Sequence, residues 1–515
     1  MTPDSLRTII KMFKVTMLCT LAAALCAVSA EVAASALPFA KLDAGVVRGE
    51  IQQDVLAFRG IPYAAPPVGA LRWNAPAPAI HWTGVRSATA FGAACPQPKL
   101  FDEAWARVGL TNEDCLFLNV WRPKGSQKHL PVMVFFHGGG FSLGSSGVPL
   151  YDGAALARRG AVIVTLNYRL GRLGFFAHPV LTAADPDGQL GNYGLLDMIA
   201  ALQWVQHNIT QFGGDPRNVT IFGESAGAGA VEIFMTSPEV SGLFAKAIIE
   251  SGGGAETLPS LRGARSVEAM GKQWTDTLGL PEITPEALRA IPAAQVATAE
   301  GFPMIDGRLI RYAPGDAFNR GGLQHVPFIV GSNSYEESLR GWSDEKARKL
   351  LGGAYEALLG EYRREAPAKA GPEATLRGEV NAVEPARSLA VQQAQAGTPA
   401  YVYYFKQLPA GVRATLPGAP HGGEVAYVFG NQPAEEQWDD VDRKVARIIG
   451  DYWVQFARTG NPNLTGAPEW KPVTASAVTY LVFDAATYMA TPTALEEKTR
   501  TLTLEGSERL WATAP

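Results

Sequence analysis

The stretch NVTIFGESAGAGA, Asn218 to Ala230, decides how this sequence folds. Its first half is β-branched and aromatic and reads as a buried strand, while its second half is small and compatible with a helix. Between them stands Gly223-Glu-Ser-Ala-Gly227, a match to G-x-S-x-G. That pattern marks a sharp strand-to-helix turn with an exposed serine at its apex. Flanking glycines are needed because the turn is strained and the helix must approach the strand closely.

A second match, Gly140-Phe-Ser-Leu-Gly144, lies in HGGGFSLGSS, His137 to Ser146. A strand-like run precedes it, but SSGVPLYDGA follows, where Gly147 and Pro149 oppose a helix. Glycine-rich backbone just after a strand suits another task, donating N–H groups to an oxyanion, and HGGG is the form this takes in lipases and esterases. The two pentapeptides become halves of one site: Ser225 attacks, and the loop carrying Ser142 stabilises the resulting charge.

Working outward, PVMVFF (131–136), AVIVTLNY (161–168), AKAIIES (245–251) and VPFIVGS (326–332) also read as buried strands. The run 192–213 is apolar at helical spacing and closed by Gly213 and Gly214. Such alternation predicts an α/β fold with a central, mostly parallel sheet flanked by helices. Stretches 255–320 and 343–400 are helix-rich and predict a cap or lateral layer. YVYYF (401–405) and AVTYLVFD (477–484) return to strand character, 446–460 is an amphipathic helix, and 363–375 is expected to be an exposed loop.

A serine hydroxyl needs an adjacent base, usually a histidine oriented by a carboxylate. In α/β-hydrolases the chain order is Ser, then Asp or Glu, then His. Of the seven histidines only His325 and His421 follow Ser225. His325 sits at the entrance of a strand, the wrong end, which leaves His421, in the loop after 401–405. The acid should leave the carboxyl end of a strand between Ser225 and His421, and Glu336 and Glu337, after VPFIVGS, both stand there.

The 515 residues are 47% hydrophobic and 18% charged, with 49 acidic and 45 basic side chains and a net charge of −4. Nothing indicates a nucleic-acid surface. Arg7, Lys11 and Lys14 precede the apolar run 15–30, the layout of a signal peptide with cleavage near 30 or 36. The run is shorter than a membrane span needs, an uncleaved N-terminal anchor being the alternative reading, and no other segment looks membrane-spanning. Residues 37–515 then form a single catalytic unit, secreted or periplasmic. With Cys19 and Cys26 removed, Cys95 and Cys115 remain; one disulfide or two buried thiols would account for them. No metal-ligand spacing is present, and neither metal nor cofactor is expected.

Together these residues resemble the type-B carboxylesterase family, which includes cholinesterases and para-nitrobenzyl-type esterases. The similarity runs through FRGIPYAAPPVGALRW (58–73), EDCLFLNVW (113–121), NYRLGRLGFF (167–176), the block 191–230, HGGEVAYVFG (421–430) and WVQFARTGNPN (453–463). The resemblance implies an α/β-hydrolase fold and a Ser225–His421–Glu triad. It further implies an oxyanion hole from the N–H groups of Gly139, Gly140 and Ala226, and a Cys95–Cys115 disulfide. Ser251 matches a position whose hydroxyl supports the acid. Family members commonly read Asp-Glu-Gly at the acid; here Tyr335-Glu336-Glu337 stands there, and alignment on Gly331 and Asn333 selects Glu336.

The expected activity is hydrolysis of small carboxylic esters through an acyl-enzyme, by a monomer or small homo-oligomer. A lipase, an amidase or a hydrolase of one specialised natural ester would use the same machinery. A non-catalytic binding protein on this fold would be expected to lack triad members. Phe141, Phe302 and Phe429 could line a substrate pocket or pack in the core, and Arg340 could meet an anionic substrate or solvent. The sequons at Asn208, Asn218 and Asn463 are weak signals for glycans.

Overall fold

Branched and aromatic side chains fit a pleated surface covered on both faces, and the apolar runs accordingly become adjacent strands. The computed structural model describes residues 37–99, 108–184, 191–252, 258–338, 344–365 and 370–512. The signal-peptide stretch, both cleavage positions and Arg340 lie outside the described residues.

Eleven strands make one sheet. They are β1 (Glu50–Gln52), β2 (Val55–Pro62), β3 (Phe117–Pro123), β4 (Leu130–Phe136), β5 (Val162–Leu166) and β6 (Gly214–Glu224), then β7 (Lys246–Glu250), β8 (Phe328–Asn333), β9 (Ala400–Phe405), β10 (Tyr480–Phe483) and β11 (Tyr488–Ala490). The spatial order is β11-β10-β9-β8-β7-β6-β4-β5-β3-β2-β1. From β10 through β5 every neighbouring pair is parallel. The flanks are antiparallel.

Parallel neighbours require crossovers. Helix α1 (Tyr193–Asn208) connects β5 to β6, and α2 (Ala226–Thr236) connects β6 to β7. Alternate residues of each strand feed two cores. Val132, Val134, Ile221 and Ile249 face one, and Met133, Phe135, Phe222 and Ile248 the other. Helix α3 (Asp440–Thr459) covers the second face with Trp453 and Phe456. It starts well before residue 446 because Asp439 and Asp442 form a capping box, and it ends at Gly460 in the left-handed conformation.

Of the stretch 363–375, expected to be an exposed loop, residues 366–369 lie outside the described residues and both described ends are largely helical. A helix at Tyr355–Glu365 runs into it and another, Pro372–Gly378, takes over its end. Pro372 occupies a first-turn position, where its missing N–H costs nothing. Arg363 and Glu373 pair across the junction at 2.6 Å.

Cys95 and Cys115, both buried, form a disulfide. The sequon side chains are engaged internally: Asn208 with Asp43 and Trp204, Asn218 with Lys246 and Arg458, Asn463 with Trp470. Asn208 is buried, while Asn218 and Asn463 are half-buried.

Register sets the working edge. Phe136 lies beside Gly223, Glu224 beside Glu250, Glu250 beside Gly331, and Asn333 beside Phe405. The segments leaving β4, β6, β7, β8 and β9 therefore open on the same side, at the carboxyl ends where ligands of open α/β sheets bind.

Candidate active site

Ser225 sits between β6 and α2 at φ 55° and ψ −120°, a strained conformation held by two backbone bonds. Its N–H donates to the Glu250 carbonyl (3.0 Å) and its carbonyl accepts from Gly229 N–H (2.9 Å). Strain of this kind persists only where the surroundings over-determine it. Gly227 explains the motif: a Cβ there would collide with the Phe136 carbonyl of β4. Ala226 opens α2, so its N–H belongs to the first-turn donors that a helix cannot satisfy itself.

The glycine loop after β4 packs directly on this turn, since a Cβ on Gly138 would lie 3.1 Å from Ser225 Cβ. Its two central peptides are fixed from their carbonyl sides. The Gly138 carbonyl accepts from His137 Nδ1 at 2.8 Å. The Gly139 carbonyl accepts from the N–H groups of Ser142 (3.1 Å) and Leu143 (2.9 Å). A trans peptide is planar, so anchoring each carbonyl aims the opposite N–H, of Gly139 and Gly140 respectively. Gly140, at φ 61°, has open space where a side chain would stand.

His137 is buried and stacked on Tyr168 with ring centroids 4.4 Å apart. Burial lowers its pKa to about 4, against the opposing effect of the Gly138 bond. The ring is thus neutral, with its proton on Nδ1, where the carbonyl needs it. The chain order had removed His137 as a base; its role as the prop of this loop was missed. Its adjacency to Gly138 was the available signal.

Ser142 is buried, and its hydroxyl donates to the Ala299 carbonyl at 2.7 Å, with the Gly140 carbonyl at 3.2 Å. A carbonyl cannot take up a proton as a base does.

His421 arrives on a loop stitched to the turn after β8. Its N–H donates to Ser338 Oγ (2.8 Å), and Asn333 Nδ2 donates to the Pro420 carbonyl (2.7 Å). Its Nδ1 is 2.5 Å from Glu336 Oε2, and Glu336 Oε1 accepts from Asn333 N–H at 2.6 Å. Glu336 is buried. Glu337 instead turns to Arg377 at 2.7 Å, and Asp344 shares that guanidinium. The structure thus brings Glu336, and not Glu337, to the histidine.

The other ring nitrogen, Nε2, faces the Ser225 turn: it lies 3.1 Å from Oε1 of the preceding residue, Glu224, in a geometry that makes no hydrogen bond. Ser225 and His421 are not hydrogen-bonded to each other here. Catalytic hydrogen bonds commonly tighten only when substrate is bound.

Two further carboxylates surround the histidine. Burial raises Glu224 to about 8, with His421 opposing and Glu424 and Glu336 reinforcing the rise. Burial likewise raises Glu424 to about 7. Ser251 Oγ donates to Glu424 Oε1 at 3.2 Å, and Asn333 Nδ2 binds the other oxygen. Ser251 therefore reaches the site through Glu424 rather than through Glu336. Both glutamates escaped the sequence reading, although each lies within three residues of Ser225 or His421.

Of the three phenylalanines, Phe429 is fully buried among Phe135, Tyr151 and Phe222, on the second core. Phe141 packs edge-on against Phe175. Phe302 is 54% exposed, so it alone of the three meets solvent. Among the described residues no group of three or more His, Cys, Asp or Glu side chains could hold a metal ion. Among the described residues no helix is long and apolar enough to cross a membrane.

A family model described as the carboxylesterase family matches residues 36–349 and 354–501. The chain is 39% identical over 457 residues to a fumonisin B1 esterase of Sphingopyxis macrogoltabida, covering 83% of each protein. It is 36% identical over 456 residues to the para-nitrobenzyl esterase of Bacillus subtilis, covering 83% of this chain and 90% of that one. Among solved structures, a thermophilic PNB esterase superposes with a TM-score of 0.79 at 30% identity, over 91% of this chain and all of the other. The fold is that of the α/β-hydrolases.

Proposed function

This chain belongs to the carboxylesterase family, whose activity is carboxylic ester hydrolysis, and from that premise we propose that Ser225, His421 and Glu336 carry the reaction through an acyl-enzyme. His421 Nε2 takes the proton of Ser225 Oγ as that oxygen attacks the ester carbonyl. Glu336, on Nδ1, keeps the ring in the required tautomer and orientation and stabilises the imidazolium. The oxyanion accepts from the N–H groups of Gly139, Gly140 and Ala226. Imidazolium then protonates the leaving alcohol, and water repeats the sequence on the acyl-serine.

The observation that carries this reading is the His421 ring, anchored at Nδ1 by a buried carboxylate, with Nε2 beside Glu224, the residue that precedes the strained serine. The test is covalent. An organophosphate should label Ser225 stoichiometrically, and Ser225→Ala should lose both label and turnover of a small aryl ester. Retained turnover would remove Ser225 from the mechanism.

A second reading, a hydrolase of one natural ester, draws support from the relative named a fumonisin B1 esterase. A panel of esters varying acyl and alcohol size separates the two: broad turnover favours a general carboxylesterase, and one steep optimum favours the specialist.

Residues 1–30 are read as a signal peptide, with 37–515 as a single exported unit. The paired Cys95 and Cys115 support an oxidising compartment. N-terminal sequencing of the exported protein tests the cleavage site.

A further inference from the structure

The glycine loop is fastened at its base. Gly144 has φ 109°, and a Cβ there would strike the His137 ring and lie 2.8 Å from the Gly138 carbonyl oxygen. Its backbone therefore rests directly on the ring–carbonyl hydrogen bond that aims Gly139 N–H. Any drift of Gly144 frees the ring to tilt, and with it the Gly138–Gly139 peptide.

Gly144 is held by a side chain from a remote segment. Gln97 Oε1 accepts from Gly144 N–H at 2.8 Å, and Gln97 Nε2 donates to the Gly144 carbonyl at 2.9 Å. The same Nε2 donates to the Cys95 carbonyl at 3.0 Å. Both N–H bonds of the amide are thereby used, which fixes its orientation. Glutamate could accept from Gly144 but could not donate, and an apolar residue could do neither.

The segment behind Gln97 is itself anchored. Cys95 is tied to Cys115, and Ala94 exchanges backbone bonds with Leu110 and Asn112 at 2.9 Å each. Asn167 Nδ2 donates to the Cys115 carbonyl at 3.2 Å.

We propose that Gln97 is a positioning residue of the oxyanion hole, acting through Gly144 and His137, with the Cys95–Cys115 disulfide as its abutment. This rests on the reading of Gly139 as an oxyanion donor. Negative charge on the substrate oxygen develops in the transition state, so a loosened donor weakens transition-state binding more than binding of the neutral ester.

The experiment uses Gln97→Met in the full-length protein, close to the natural volume but lacking all three bonds. Active sites are counted by organophosphate titration, so that unfolded molecules do not enter the rate. Expected is a fall of roughly tenfold to hundredfold in kcat per titrated site, with KM for a small aryl ester changed less than about threefold. Affinity for a trifluoromethyl ketone, which forms the tetrahedral oxyanion, should fall in parallel with kcat/KM. A kcat per titrated site within about twofold of the parent overturns the proposal, as does a lower melting temperature with kcat unchanged. Should Gln97→Met give no folded protein, Gln97→Glu, which keeps one bond of the three, is judged by the same criteria. Failure of Ser225 itself to take up label would instead refute the catalytic reading on which the proposal stands.

Discussion

The two ring nitrogens of His421 are flanked by carboxylates from different elements: Glu336 Oε2, in the turn after β8, lies 2.5 Å from Nδ1, and Glu224 Oε1, at the end of β6, lies 3.1 Å from Nε2. Burial works to lower the histidine pKa, but Glu336 and then Glu224 override it and raise it to about 10. A base must be neutral to accept a proton, so the acid limb of kcat/KM should rise with pH and lie above the ordinary histidine value of about 6.5. Glu224→Gln removes one of the flanking carboxylates and should move that limb about one unit toward lower pH. Rates on a small aryl ester between pH 5 and 10 check this. An unmoved limb would mean that Glu224 is already neutral beside the ring.

Ser142→Ala should leave organophosphate labelling of Ser225 stoichiometric. The Ser142 hydroxyl is bonded to the Ala299 carbonyl and faces no base. Loss of label in this variant would restore Ser142 as a candidate nucleophile.

His137→Phe keeps a ring to stack on Tyr168 but removes the proton donated to the Gly138 carbonyl. Losing an oxyanion donor outright costs about 10²–10³ in rate. Misaiming one should cost less, roughly tenfold to hundredfold in kcat per labelled site. The neutral ring, with a pKa lowered by burial to about 4, should add no ionisation to the activity profile above pH 5.

Glu384, the first residue of the helix Glu384–Gln395, is buried, with one oxygen accepting from Ser388 Oγ at 2.6 Å and the other lacking a partner. Burial raises it to about 8. Folding therefore favours the neutral acid: this stability is fully present below the unfolded pKa, near 4.5, and is lost as pH rises through 8. Glu384→Gln, neutral at every pH, should stabilise the protein at pH 9 by an amount on the order of a few kcal/mol and change little at pH 4. Urea midpoints at the two values measure the difference.

What the sequence made legible was local. Asn218–Ala230 carries a strand, a strained turn and a helix within one short window, and glycines sit where a side chain would collide. Discrimination between Glu336 and Glu337 depends on Arg377, from a helix forty residues further along the chain, which draws Glu337 away. No window around the pair contains that information. The edge strands β1 and β11 are three residues each, too short for periodicity to register. Only Gly422 and Gly423 separate Glu424 from the already identified His421, yet only packing against Asn333 and Ser251 reveals its place in the site.

Trp453 Nε1 donates to Glu250 Oε1 at 2.6 Å, joining residues 203 positions apart. Glu250 is the register partner of Glu224 and supplies the carbonyl that holds Ser225 N–H. A growing polypeptide thus contains the serine and the glycine loop long before it contains His421 or the indole that braces the strand beside them. On the assignments above, chemical competence arrives only once synthesis has passed His421, some two hundred residues after the serine. A chain stalled before His421 would carry a serine with no base to activate it, and would be inert toward any ester it met.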